Sequence, residues 1–396
     1  MPRHVSNPLA TRDAPPGPAQ RAVMDLASFR AAQAEIAAWP GYAPTPLRDM
    51  PGLARDVGVA RVLYKDEAGR FELESFKALG GAYAVLRLIQ MQLATAGRPG
   101  VASAALLGGA HRAALAGVTF ATATDGNHGR SVAWGCRMFG AACVIYLHAG
   151  VSAAREAEIA RFGASIRRVP GGYDASVRAC AADAGAHGWT VVADTSTGIG
   201  LLAPSLVMQG YGVLALEMDA ALGGKPPTHV FVPAGVGGLA AAVGAHAWEA
   251  HGARRARIVT VEPILADCVF RSVAAGRPTA VPGDADSFMA CLAAGEVSPA
   301  AWAFLRATTD DVVALEEDAA ADAMRRLAAG LGGDHVVIAG ESGAATTAAL
   351  LTADRAVLGL DGRSVVVLIG SEGATDRATY RRVVGEDAEA VAARAG

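Results

Sequence analysis

The sequence predicts an α/β protein with three-layered, open parallel sheets, and three observations carry that reading. Apolar, β-branched runs begin near Val118, Ala142, Ser165 and Trp189, at intervals of 24, 23 and 24 residues. A strand, a helix and two turns need about that many residues, so these are βαβ units. Most such runs are apolar along both faces, as strands covered by helices on both sides must be. The 47 glycines follow no G-x-y period and suit loops that approach a ligand closely.

The elements follow in order. Residues 1–20 are Pro-rich and polar and are expected to form a mobile arm. A short helix begins near Ala22, and the stretch 44–51 leads into a strand over 60–64. Between the regular strands lie Ala- and Arg-rich segments with helical spacing, 153–162 and 173–186. Further strands are expected at 229–232, 257–262, 335–338 and 364–369. The repeating units share no side-chain motif, so they are not a solenoid.

Composition excludes several classes. With 52% apolar and 18% charged residues in a 396-residue chain, neither disorder nor a fibrous repeat fits, and the length allows two or three domains. The 35 basic and 38 acidic residues leave a net charge of −3 with no basic block, which argues against nucleic acid and anionic membrane as partners. The first 30 residues lack a continuous apolar core of signal-peptide length, and no 18-residue apolar span is free of glycine and polar breaks; a cytoplasmic, soluble chain is expected. Cys136, Cys143, Cys180, Cys268 and Cys291 form no CxxC and no metal-like pairing with histidine, so reduced thiols and no metal are expected.

Four loops can carry chemistry. The first runs Y-K-D-E at 64–67, R-F at 70–71 and E-S-F-K-A-L-G-G at 74–81. It follows a strand and opens a helix at Lys77, where the helix dipole lowers an amine's affinity for a proton. A neutral amine there suits Schiff-base chemistry with an aldehyde; a solvated lysine on a first helical turn is the plain alternative. Only two other lysines exist, Lys65 and Lys225. The second loop, T-A-T-D-G-N-H-G-R at 122–130, packs Asp125, Asn127 and His128 around two glycines before a helix over 131–139. Its alternative is a turn with Asp125 as helix cap. The third, V-P-A-G-V-G-G-L-A at 232–240, presents backbone N–H groups to an anion. It also fits G-x-G-x-x-A, and with Glu262 at the end of the next strand a nicotinamide-dependent oxidoreductase stays open. The fourth pair, G-E-S-G-A at 340–344 and G-S-E-G-A-T-D at 370–376, can set a hydroxyl or carboxylate under a heteroaromatic ring, or can be ordinary strand-to-helix turns.

Taken together and in this order, the loops resemble the pyridoxal-phosphate β-eliminating enzymes of the tryptophan-synthase-β fold type, over Tyr64 to Asp376. S-F-K, G-N-H-G and the glycine loop are shared with serine and threonine dehydratases. Y-K-D-E…R-F, F-K-x-L-G-G, T-A-T-D-G-N-H-G-R, V-M-Q-G-Y at 207–211, G-E-S-G-A and S-E-G-x-T-D are similar to the diaminopropionate ammonia-lyases. The resemblance implies an N-terminal arm over 1–40, a large domain from 41–87 and 207–396, and a smaller α/β domain over 88–206. It implies pyridoxal 5'-phosphate as cofactor, with Lys77 as the Schiff-base lysine. Gly235, Val236, Gly237 and Gly238 would cradle the phosphate, Asn127 would bond the phenolic oxygen, and Ser371 would partner the pyridine nitrogen. Ser75, Asp125 and Asp194 are the implied substrate contacts, with Asp125 a second catalytic base beside Lys77 for the opposite enantiomer. The implied reaction converts 2,3-diaminopropionate to pyruvate and ammonia in a homodimer.

Two departures bear on the substrate. Residues 196–200 read S-T-G-I-G where the family has an aromatic and acidic segment, and Ala374 replaces an acid between Gly373 and Thr375. Both remove polarity or bulk, so dehydration of a β-hydroxy amino acid stands as an alternative. A non-catalytic small-molecule-binding homologue is the alternative from another class.

Overall fold

The computed structural model describes residues 2–14, 16–124, 126–195 and 200–395. The chain divides into two compact units: Met1–Leu26 with Pro44–Phe76 and Leu214–Gly396, and Ala27–Ala43 with Lys77–Val213. The boundaries expected at 87/88 and 206/207 thus lie at 76/77 and 213/214; the first falls at the start of the helix Lys77–Thr95, and the second runs through the helix Leu202–Ala221.

The larger unit is built on a seven-stranded sheet. Its strands are β1 (Arg3–Ser6), β2 (Leu47–Asp49), β3 (Arg61–Asp66), and, after the smaller unit's four, β8 (His229–Pro233), β9 (Arg257–Pro263), β10 (Asp311–Leu315) and β11 (Val365–Gly370), in the order β1-β10-β9-β8-β11-β3-β2. The five central strands are parallel, but both edge strands run antiparallel, so the sheet is mixed rather than purely parallel. An antiparallel edge needs no crossover helix, which is why short segments suffice there.

Two expectations are corrected here, and one strand is added. The N-terminal residues are no mobile arm: β1 pairs with β10, and His4 and Ser6 both bond the Asp311 carboxylate, at 2.9 and 3.0 Å. Residues 335–338 form no strand, because the buried Val337 amide donates to the carbonyl of Leu327, the end of a helix, rather than to a neighbouring strand. Conversely, Asp311–Leu315 is a fully buried strand within the sheet that the sequence reading did not single out.

The smaller unit holds a four-stranded parallel sheet: β4 (Thr119–Ala123), β5 (Ala142–His148), β6 (Ser165–Val169) and β7 (Thr190–Val191), ordered β6-β5-β4-β7. These are the four regularly spaced runs. The helices Ala153–Ala160 and Tyr173–His187 lie between them as expected, and Ala121, Val144, Tyr146 and Cys180 form a small core. Among the described residues no helix is long and apolar enough to cross a membrane.

Candidate functional site

In the larger unit, β8 and β11 are adjacent and parallel, and both carboxyl ends feed loops singled out from the sequence. Chain direction diverges here, since the chain leaves β8 for β9 on one side while β11 and β3 lie on the other; such a point opens a crevice in an α/β sheet. After β8 the chain turns through Gly235, Val236 and Gly237 into the helix Gly238–His251. Gly237 has φ 91°, and a Cβ there would lie 2.6 Å from Leu305 Cδ1. The backbone amides of Gly235, Val236 and Gly237 find no acceptor among the described residues. With the first amides of the helix, they form a nest of bare N–H donors at a dipole's positive end. That donor set fits a phosphate.

The chain reaches Lys77 through a segment tied across the end of β11. Ser75 bridges Glu372, and the Phe76 amide donates to the Ser371 carbonyl at 3.0 Å. Ser75 and Ser371 are both buried. Among the described residues, Phe71 (φ 50°) and Glu74 (φ 54°) are the non-glycine residues of left-handed conformation, and both stand in this approach; such strain persists where surrounding structure over-determines it. The surroundings include a buried charge cluster. Lys65 Nζ donates to Glu217 at 2.7 Å and to the Thr45 carbonyl at 2.8 Å, while Arg70 bonds both Glu217 and Glu67. Burial works against the Glu217 carboxylate, yet Arg70 and Lys65 hold it below the usual carboxylate range. Glu217 gave no signal in the sequence, because its partners lie about 150 residues away.

In the smaller unit, Lys77 is the first residue of the helix Lys77–Thr95. Its side chain is 16% exposed, and its Nζ donates to Asp194 Oδ2 at 2.9 Å. Burial would raise the Asp194 carboxyl, but the Lys77 ammonium and His128 pull it well below the ordinary range. Thus Asp194, expected as a substrate contact, holds the lysine in this state. The helix after β4 begins at Asn127, four residues earlier than expected. Its start is held by Thr124, whose Oγ1 accepts from the amides of Gly126 and Gly129, both at 3.1 Å. Arg130 Nη1 lies 3.3 Å from Asn127 Oδ1. A guanidinium only donates, so the amide oxygen must face Arg130. That i,i+3 pairing was readable from G-N-H-G-R and was missed. Asp125 lies outside the described residues, as do residues 196–199.

Two alternatives lose their footing. Glu262 is fully buried, and its carboxylate accepts from the amides of Val269 and Phe270, both at 2.8 Å. It caps the helix Cys268–Ala275 and is not available to a ribose, which removes the reason for a dinucleotide site. In the 340–344 loop, Ser342 Oγ accepts from the Cys291 amide, a structural use of that hydroxyl. Cys136, Cys143, Cys180 and Cys268 are buried free thiols, and Cys291 is half-buried.

Comparison with known proteins agrees with this geometry. The family model for "Pyridoxal-phosphate dependent enzyme" matches residues 38–372. Diaminopropionate ammonia-lyase of Escherichia coli K12 is 37% identical over 368 residues, covering 89% of this chain and 90% of that protein. The biosynthetic L-threonine dehydratase of Mycobacterium leprae is 26% identical, over 87% of this chain and 71% of that one. Among solved structures, holo diaminopropionate ammonia lyase from E. coli superposes with a TM-score of 0.87 at 33% identity, covering 97% of this chain and 96% of that one. The E. coli enzyme in complex with D-serine gives the same TM-score and identity over 99% of this chain and 98% of that one.

Proposed function

Because the chain belongs to the pyridoxal-phosphate dependent enzymes, and among them to the diaminopropionate ammonia-lyase family, we propose that it converts 2,3-diaminopropionate and water to pyruvate and two molecules of ammonia. The observation that carries this reading is Lys77: a half-buried amine opening a helix and donating to the Asp194 carboxylate, at the position the family's motif assigns to the cofactor lysine. Bound pyridoxal phosphate supplies an electron sink that lets a Cα–H bond break.

The chain's own residues divide the remaining work. The bare amides at 235–237 and the helix start at Gly238 would hold the phosphate. Asn127, its oxygen turned to Arg130, would offer its amide N–H to the phenolic oxygen. The buried Ser371 hydroxyl would serve the pyridine nitrogen as a neutral partner. Once Lys77 gives up its charge, the Asp194 carboxylate is released to receive the substrate's distal ammonium. Lys77 takes the Cα proton of one enantiomer and Asp125 that of the other, with Ser75 a further substrate contact. The family resemblance extends the reading to a cytoplasmic homodimer, which sedimentation of the purified enzyme tests.

Pyruvate release from a panel of β-substituted amino acids in both chiral forms tests the function. Diaminopropionate should be the best substrate, and Asp125→Asn should slow the D-form at least about tenfold more than the L-form, as loss of one general base does. Turnover confined to β-hydroxy substrates would assign the enzyme to dehydration. Equal losses for the two enantiomers would remove the two-base scheme.

A further inference from the structure

Behind the Lys77–Asp194 pair stands a third group that the reaction scheme leaves unused. His128 is 4% exposed, on the first turn of the helix Asn127–Phe139. Its Nε2 lies 2.8 Å from the Val192 carbonyl oxygen. A carbonyl can only accept, so Nε2 carries the hydrogen, and in the neutral ring Nδ1 is a bare lone pair. Among the described residues that Nδ1 has no hydrogen-bond partner, and it faces Asp194 Oδ2 at 3.9 Å. Two acceptors facing each other in a buried place gain nothing from the contact unless a proton comes between them.

We propose that His128 is a positioning residue that takes the proton Lys77 must lose, so that Asp194 keeps a cationic partner until the substrate's ammonium reaches it. In the state described, that partner is the Lys77 ammonium. To condense with an aldehyde, Lys77 must become a neutral amine. One Nζ–H bond breaks, the proton passes to Asp194 Oδ2, and from there to the lone pair of His128 Nδ1. An ammonium beside a neutral imidazole becomes a neutral amine beside an imidazolium, and total charge is unchanged. The carboxylate stays ionised on both sides of the transfer. Closing 3.9 Å to a hydrogen bond needs a shift of about 1 Å.

The groups facing His128 agree with this exchange. Burial holds it neutral, and Lys77 opposes its protonation while Asp194 and the Val192 carbonyl favour it. Arg130, on its own helix, directs its guanidinium to Asn127 and Glu158. Among the described residues, Lys77 and Asp194 are therefore the charges that decide the proton's place, and removing charge from Lys77 leaves only the favourable one.

The proposal rests on Lys77 being the cofactor lysine, but its first test uses cofactor-free protein. The nine histidines can be followed by 15N NMR, with His128→Gln identifying the signal. In the wild type, His128 should be neutral at pH 7 and above. In Lys77→Ala its midpoint should rise by at least about one pH unit, as expected when a cation leaves the side of a shared carboxylate. Lys77→Met serves the same purpose if the alanine variant folds poorly, and adding Asp194→Asn should abolish the rise. No rise, or a rise that survives Asp194→Asn, overturns the proposal. As a second readout, pyridoxal phosphate added to cofactor-free His128→Gln should attach to Lys77 about tenfold more slowly at pH 7, the deficit shrinking as pH rises and hydroxide takes the proton instead. A deficit equal at every pH marks a merely structural role and contradicts the proposal. Failure of attachment in the wild type would instead strike the assignment of Lys77.

Discussion

Lys65 and Lys77 each place an ammonium against a carboxylate, at 2.7 and 2.9 Å, yet the two lysines are built for opposite ends. Lys65 is 1% exposed, bonds a carboxylate and a carbonyl, and shares Glu217 with Arg70; two cations and two anions balance inside the cluster. Nothing there can change charge without leaving a buried partner unpaired. Lys77 is 16% exposed and pairs with Asp194, behind which, among the described residues, stands an imidazole nitrogen with no hydrogen-bond partner. Proximity to a carboxylate therefore does not identify a reactive lysine. A lysine can react where its partner has another cation to turn to.

The largest effect that would sharpen this contrast is on folding. Lys65→Met should destabilise the protein by about 3–5 kcal/mol, because Glu217 keeps its charge and loses one of its two cations. Chemical denaturation checks the magnitude, and whatever fraction folds should still attach the cofactor at Lys77. A Lys65→Met protein of normal stability would dissolve the distinction.

A smaller effect concerns Glu262, a fully buried acid near the end of β9 in the larger unit. Burial pushes it up to about 8, against the pull of the Val269 and Phe270 amides and with a further push from Asp267. A folded-state value above the unfolded one means that the folded chain binds the extra proton. Stability from this group is then complete below about pH 4 and is lost as pH rises toward 8. Glu262→Gln forfeits one acceptor but cannot ionise. Relative to the wild type it should gain about 1–3 kcal/mol between pH 5 and pH 9, read from melting curves at the two values. A constant difference across that range would show that Glu262 is ionised throughout.

What the sequence could reveal follows from the range of the interactions involved. The βαβ rhythm depends on local periodicity and glycine-marked strand ends, so β4 to β6 and the turn at 235–238 were legible. Asp311–Leu315 lacks a flanking glycine, and β1 lies in a Pro-rich, half-exposed stretch whose pairing partner is some 300 residues away. Lys77 was readable because S-F-K stands before a helix. Glu217 was not, because only folding brings it to Lys65 and Arg70. The aspartate at 194 was found, but its role as holder of Lys77 needed coordinates, since 117 residues separate the two. His128 stood in plain view within G-N-H-G, and only its tautomer, fixed by the Val192 carbonyl, set it apart from an ordinary buried histidine.

Whether the molecule tells its lysines apart in this way is decided by borohydride reduction of the pyridoxal-phosphate-loaded enzyme, followed by peptide mapping. The account predicts the reduced cofactor on Lys77 alone, with Lys77→Ala protein unlabelled. A label on Lys65 or Lys225, or on no lysine at all, would contradict it.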